Sequence, residues 1–401
     1  MLGAGVFAAF GPAAEAAGSG IILALALAAF VAFCNATSSA ELAATYPQAG
    51  GTYVYGRERL GRFYGFLAGW GFVVGKIASC AAMAITFAAY AAPDAQKPVA
   101  VAAVVVLTAV NTQGIHRTAA LTRIIVALVL VGIAISVAAA LAGGDPHADR
   151  LTPVTGTGAY GILQAAGLIF FAFAGYARIA TLGEEVRDPA HTIPKAIPIA
   201  LGIVLAVYAA VAVTLLLVLG ADGLAAATAP LAAAVDGGSL DELTPVVRSA
   251  AAIASLGVLL SLIAGVGRTA FAMADNRELP HVLARVHPKH KVPWVAEVAV
   301  GAVVAVLAAT LDLRHAIGFS SFAVLVYYAI ANASAFTLSR TQLRWPRALT
   351  VAGIAGCLAV AFSLPWTSVV AGVGVLAAGS LVYAAHLQFR RWRRPRTGAR
   401  S

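Results

Sequence analysis

Charge is what this chain has least of. Asp, Glu, Lys and Arg make up 11% of its 401 residues, against roughly 25% in an ordinary soluble domain. A water-soluble fold of this length is excluded on that ground. Only three cysteines are present, Cys34, Cys80 and Cys357, all inside apolar runs. Their spacing suits neither a disulfide framework nor a metal site, which leaves them as small apolar core residues. The chain has no nucleotide-binding loop, so ATP drive would require a partner. It has no H-E-x-x-H, no paired acids at membrane depth and no Ser/His/Asp cluster, which argues against a membrane enzyme. No repeated ring of pore-lining charge is visible, which argues against a channel. No Lys or Arg precedes Arg57, so the opening is not a signal peptide.

What the chain does have is apolar length. It is 61% hydrophobic, and many runs reach the roughly 20 residues that cross a hydrocarbon core. The runs are continuously Ala-, Leu- and Val-rich instead of alternating, which excludes a β-barrel. The predicted fold is all-α and polytopic. Spans are expected at 21–45, 64–92, 98–113, 120–142, 159–183, 195–220, 246–274, 294–311, 316–338, 348–364 and 367–388. About a dozen residues before Gly18 add a half-span, for twelve in all. That opening reads as a late start or a truncated N-terminus. Residues 1–389 form one transmembrane domain, and 390–401 form a short basic tail.

The formal charge of +10 suggests nucleic acid in a soluble protein. Here it marks membrane sidedness, and no nucleic-acid partner is expected. Of the 27 Lys and Arg, 21 fall in the loops after spans 2, 4, 6, 8 and 10 and in the tail. The opposite side holds Lys97, Arg150, Arg248 and Arg314, with eight of the 17 acids. That asymmetry puts the C-terminus in the cytoplasm. Two cations remain at membrane depth, Lys76 and Arg178.

The organising stretch is residues 167–198, GLIFFAFAGYARIATLGEEVRDPAHTIPKAIP. It starts as a span and breaks at Phe173-Ala174-Gly175-Tyr176. It ends in an acidic loop, Glu184 to Asp188, where Pro194 and Pro198 suit the first turn of a new helix. A second break falls at Gly3-Ala4-Gly5-Val6-Phe7, five spans earlier. Two breaks in matching places are the pattern of an inverted repeat with a site at membrane depth. Glycines there let a helix unwind and present free N–H groups to an anion. Close packing of helices by small residues is the other explanation.

The motifs together resemble the amino acid–polyamine–organocation permease superfamily, among its basic or neutral amino acid transporters. The resemblance rests on the opening G-x-G-V-F and on Y-P-x-x-G-G-x-Y-x-Y after span 2. It also rests on F-F-A-F-x-G-Y with E-E-x-x-D-P-x-x-x-I-P-x-A-I, on G-x-R-x-x-x-A-M-A, and on L-P-x-x-L-x-x-V-H-P-x-x-x-V-P. It implies a LeuT-like fold of two inverted five-helix halves with two extra C-terminal helices, working by alternating access. It implies that Gly3, Ala4, Gly5 and Val6 offer amides to a substrate carboxylate. Phe173, Ala174 and Gly175 would offer carbonyls to its amine, with Tyr176 beside the site. The implied function is secondary transport of amino acids or related amines in a bacterial cytoplasmic membrane. Coupling would be to protons or to exchange, in a monomer or homodimer without cofactor or metal. A non-transporting sensor on the same fold is the alternative.

Two departures stand out. Some relatives carry a lysine within span 5, where this chain has Val129. Many carry Glu two residues after the span 6 aromatic, where this chain has Arg178. Lys76 in span 3 is therefore a candidate replacement for the missing coupling cation, or a cation paired structurally. Arg178 could bind a carboxylate or pair with Glu184. Ser255, Ser261 and Ser320 are candidate cavity-lining hydroxyls, although serine also bonds back to its own helix.

Overall fold

The computed structural model describes residues 3–46, 50–114, 119–152, 158–175 and 188–392. Among them no strand occurs, and the helices run α1 Ala4–Ala8, α2 Phe10–Ala17, α3 Ile21–Thr45, α4 Thr52–Arg59, α5 Arg62–Ala91, α6 Gln96–Thr112, α7 Ala119–Gly143, α8 Ala159–Phe173, α9 Pro189–Ala226, α10 Pro230–Ala233, α11 Thr244–Asp275, α12 Trp294–Thr310, α13 Leu313–Phe336, α14 Arg347–Phe362 and α15 Trp366–Trp392. Eight helical segments among the described residues are long and apolar enough to cross a membrane, and α8, α12 and α14 are shorter apolar helices. The protein is an all-α polytopic membrane protein.

Burial sorts the helices. The core of the bundle is α5, packed against α11 and α13. Small residues allow the approach: a Cβ on Gly75 of α5 would stand 2.8 Å from the Ala323 side chain of α13. By contrast α6 and α15 keep most of their surface outside, with Val105, Val106, Leu381 and Val382 more than half exposed. In water such stripes would be a liability. Around a transmembrane bundle they are the lipid face.

Sidedness of the loops follows from long-range contacts. At one end Tyr53 of α4 donates to Glu278 beyond α11 at 2.8 Å, with Arg57 Nη1 3.4 Å from the same carboxylate. At that end Arg59 also donates to the Thr337 carbonyl after α13, and buried Glu41 of α3 accepts from the Arg344 and Trp345 amides at 2.9 and 2.8 Å. At the other end Tyr90 of α5 accepts from the Leu231 amide of α10 at 3.3 Å, and Arg314 pairs with Glu15. The loops after spans 2, 8 and 10 meet one another, and those after spans 1, 3, 7 and 9 meet at the opposite end. This alternation is what the span count requires.

Three details differ from the sequence expectation. Helix α4 was expected as loop; Gly50 (φ 124°) and Gly51 (φ 55°) make the turn into it, a geometry that L side chains resist. Helix α9 begins at Pro189, so Pro194 and Pro198 lie inside it instead of in its first turn. Its start is set by Asp188 in the left-handed region at φ 47°, whose carboxylate meets His191 at 3.0 Å. The α9 axis breaks again at Gly220 (φ 68°).

Candidate functional site

Helix α8 stops at Phe173, where Ala174 and Gly175 turn away. Helix α1 starts beside it. The two stretches expected as breaks therefore meet, although Ala4–Ala8 is helical and shows no unwound turn. The contact is intimate: a Cβ on Gly5 would stand 2.6 Å from the Cα of Ala172, and one on Gly3 would stand 2.5 Å from Val258 Cγ2 of α11. Gly3 itself is extended, with φ −167°, a conformation open to any residue. Glycine is needed here for close approach of three helices, not for an unusual dihedral.

Where α1, α5, α8 and α11 converge there is a cavity of about 130 Å³. Sites for drug-sized ligands are roughly 300–1,000 Å³, so this one suits a small metabolite. Its wall includes Gly3, Ala4 and Gly5 of α1, Lys76 and Ser79 of α5, Ala174 and Gly175 after α8, and Ser261 of α11. A larger crevice of about 420 Å³ lies between α5, α12 and α15. Its wall is nearly all apolar, with Glu278 at one edge, and lacks the convergent polar groups that orient a ligand.

The polar groups of the smaller cavity are held by defined partners. The α8 break exposes carbonyls that no later turn of that helix can satisfy. Tyr208 of α9 donates its hydroxyl to the Ala172 carbonyl at 2.9 Å, and Lys76 Nζ donates to the Ala174 carbonyl at 3.2 Å. Ser79 Oγ lies 2.6 Å from Ser320 Oγ. On the far side of α1, Tyr90 donates to the Phe7 carbonyl at 3.0 Å, where the helix passes from α1 into α2.

Gly3, Ala4, Gly5, Ala174, Gly175, Lys76 and Ser261 are thus brought together. Val6 and Phe173 are buried behind the wall, Phe173 against the Tyr208 ring at 5.1 Å. Ser320 stands behind Ser79. Ser255 is fully buried and donates to the Ala251 carbonyl of its own helix at 2.7 Å. Val129 is buried in α7 and forms no part of the wall. Tyr176, Arg178 and Glu184 lie outside the described residues.

Sequence reasoning missed Phe72, Ser79 and Met83, which share the wall with Lys76. The signal was available. Positions 72, 76, 79 and 83 recur at helical spacing and form one face of α5. Positions 258, 261, 262 and 265 do the same on α11.

The amino acid permease family model matches residues 1–388. The chain belongs to that family. An uncharacterized transporter of Mycobacterium tuberculosis (strain ATCC 25618 / H37Rv) is 61% identical over 383 residues, covering 96% of this permease and 87% of the relative. The branched-chain amino acid permease BcaP of Bacillus subtilis (strain 168) is 25% identical, over 96% of this permease and 89% of its own length. The methylthioribose transporter of the same strain is 27% identical with the same coverage. Family membership therefore fixes the architecture more tightly than the cargo.

Proposed function

We propose that this permease is a secondary transporter of amino acids or related amines in a bacterial cytoplasmic membrane, working by alternating access. The observation that carries the reading is the end of α8 at Phe173 meeting the glycine-bearing start of α1 around one small cavity lined by Lys76, Ser79 and Ser261 inside an apolar bundle. Irregular backbone at membrane depth is tolerated where it lines such a cavity. The two stretches fall in the first and sixth spans, in keeping with a LeuT-like inverted repeat. Gly3, Ala4 and Gly5 line the cavity at the start of α1, and we assign their amides to a substrate carboxylate. The basic loops and tail belong on the cytoplasmic side.

Lys76 is the group we assign to coupling. It lines the cavity and holds the broken end of α8, so its protonation state and the geometry of the break are linked. Uptake of labelled amino acids into proteoliposomes, with and without a pH gradient, tests the transport reading. Transport by the wild type that depends on the gradient, and gradient independence in Lys76→Met, are the expected results. A wild type that moves no solute in either uptake or counterflow refutes transport and favours a sensor. An unchanged pH dependence in Lys76→Met refutes the coupling role alone.

A further inference from the structure

The larger crevice lies outside the cavity assigned to transport, and its shape and charge point to a ligand of another class. On α5 its wall is Phe66, Trp70, Val73 and Ile77, positions that recur at helical spacing on one face. This stripe rises about 16 Å from Phe66 to Ile77, at roughly 1.5 Å per residue. That is the depth of one leaflet, half of a hydrocarbon core roughly 30 Å thick. A volume of about 420 Å³ spread over about 16 Å leaves an opening about 5–6 Å across. Such an opening admits one hydrocarbon chain and is half as wide as an α-helix of roughly 10–12 Å. The crevice opens on the lipid side of the bundle, where Val303 of α12 and Val382 of α15 are 47% and 67% exposed. Its back is fixed. Trp70 donates its indole N–H to the Val375 carbonyl of α15 at 3.0 Å, and Phe66 stacks on Tyr383 with ring centroids 4.4 Å apart. Charge gathers at one end. Arg62 opens α5 one turn before Phe66, on the same face, and is exposed. Its guanidinium lies within electrostatic reach of the Glu278 carboxylate and the Tyr383 hydroxyl. Glu278, at the edge of the crevice, accepts from the Tyr53 hydroxyl at 2.8 Å and faces Arg57 at 3.4 Å. Two arginines against one carboxylate leave this mouth cationic.

We propose that this crevice seats an anionic phospholipid, with one acyl chain along the stripe from Phe66 to Ile77 and the headgroup phosphate at Arg62. The leaflet rests on the proposed sidedness, which puts this end of the bundle in the cytoplasm. The binding itself is independent of the solute carried. An acyl chain needs no polar partner along its length, so an almost wholly apolar wall suits it. Seated there, it fills the space between α5 of the core and the outer helices α12 and α15. Headgroup preference comes from the mouth. One arginine near a membrane surface favours a lipid of net charge −1 over a neutral one by about fivefold.

The probes are dioleoyl phosphatidylglycerol and dioleoyl phosphatidylcholine, which share their chains and differ in net charge. Each is added to the purified full-length chain in detergent. Native mass spectrometry counts the bound lipid, and a diazirine on one acyl chain maps the contact by crosslinking. The wild type is expected to bind phosphatidylglycerol about fivefold or more tighter than phosphatidylcholine. Crosslinks should concentrate on 66–77, 296–303 and 378–382, the three helical stretches of the wall. Arg62→Gln should bring phosphatidylglycerol down to the level of phosphatidylcholine and leave the crosslinks in place. Ala299→Phe combined with Ala378→Phe fills the crevice from half-buried and exposed positions and should remove the crosslinks at 66–77. Equal affinity of the wild type for the two lipids overturns the proposal. So do crosslinks spread evenly over the lipid-facing helices, which mark annular lipid only, and crosslinks at 66–77 that survive in the filled variant. A single-span protein that copurifies and crosslinks there in place of lipid overturns it as well. Should the filled variant not fold, the wild-type map and the Arg62→Gln protein decide the matter. None of these outcomes bears on transport, which the uptake assay decides separately.

Discussion

Gly5→Ala puts one methyl group against the backbone of α8 at the cavity wall. The new Cβ would stand 2.6 Å from Ala172 Cα and 2.7 Å from Ala172 Cβ. Carbon atoms in ordinary contact sit about 3.5–4.0 Å apart, so α1 and α8 must separate by about 1 Å. No flexible side chain is available to absorb the overlap, because the obstacle is backbone. Overpacking of this kind costs about 1–3 kcal/mol, and the helix propensity of alanine over glycine returns about 1 kcal/mol. The net loss of stability is therefore modest, about 0–2 kcal/mol. The loss of function should be larger, since a misplacement of about 1 Å at a working site can cost on the order of a hundredfold. The measurement is proteoliposome uptake together with thermal stability in detergent. Gly5→Ala is expected to fold, to melt a few degrees lower, and to transport at least about tenfold more slowly. Gly3→Ala should be milder, because its obstacle is the Val258 side chain. Gly202→Ala in α9 is the control: its added Cβ meets nothing within 4 Å, so it should be neutral or slightly stabilising. Wild-type uptake and melting in Gly5→Ala would refute the close-approach argument.

Ser255→Ala and Ser261→Ala separate a helix-bonded serine from a cavity serine. The first should leave both melting and apparent affinity unchanged, because Ser255 serves only its own helix. The second should weaken apparent affinity about two- to tenfold, the value of one hydrogen bond, and equal effects would undo the distinction. Glu278 gives a pH prediction. Burial pushes its carboxyl above the ordinary value of 4.5, against the opposing pull of the Tyr53 hydroxyl and of Arg57. The folded state thus holds this proton more tightly than the unfolded chain, and stability from this group is lost as pH rises from the unfolded value through the folded one. Melting temperature measured from pH 4 to 8 should fall less steeply in Glu278→Gln than in the wild type, and parallel curves would contradict the assignment.

Most of the architecture was legible because a membrane span is a long, one-dimensional signal. Residues 21–45 were expected as a span and form α3, Ile21–Thr45. Expected edges elsewhere lie within a few residues of the helix ends in α5, α11, α12 and α13. Helix α4 escaped because eight residues with Arg57, Glu58 and Arg59 in them have no apolar run. What made it a helix is tertiary: Tyr53 and Tyr55 bury against the bundle, and the Thr52 amide donates to Tyr327 at 3.2 Å.

The site was legible at its backbone and opaque at its partnerships. Glycines and a broken span announce a cavity, since backbone irregularity at membrane depth has few other causes. Which groups answer the exposed backbone is a question of distant pairs. Asn35, Ser38, Asn332 and Cys357 show the same limit. Asn332 donates to Asn35 at 2.6 Å and accepts from Ser38 at 2.7 Å, and the Cys357 thiol reaches Asn35 at 3.2 Å. Each was read alone as an apolar-run residue or went unremarked, yet together they tie α3, α13 and α14 with buried hydrogen bonds. Lys76 is the sharper case. From sequence it is a lysine where lysine is costly, with structural pairing or snorkelling weighed ahead of coupling. The Ala174 carbonyl joins the two: a cation that caps the broken end of α8 is structurally paired, and it sits on the same cavity wall as the residue it caps.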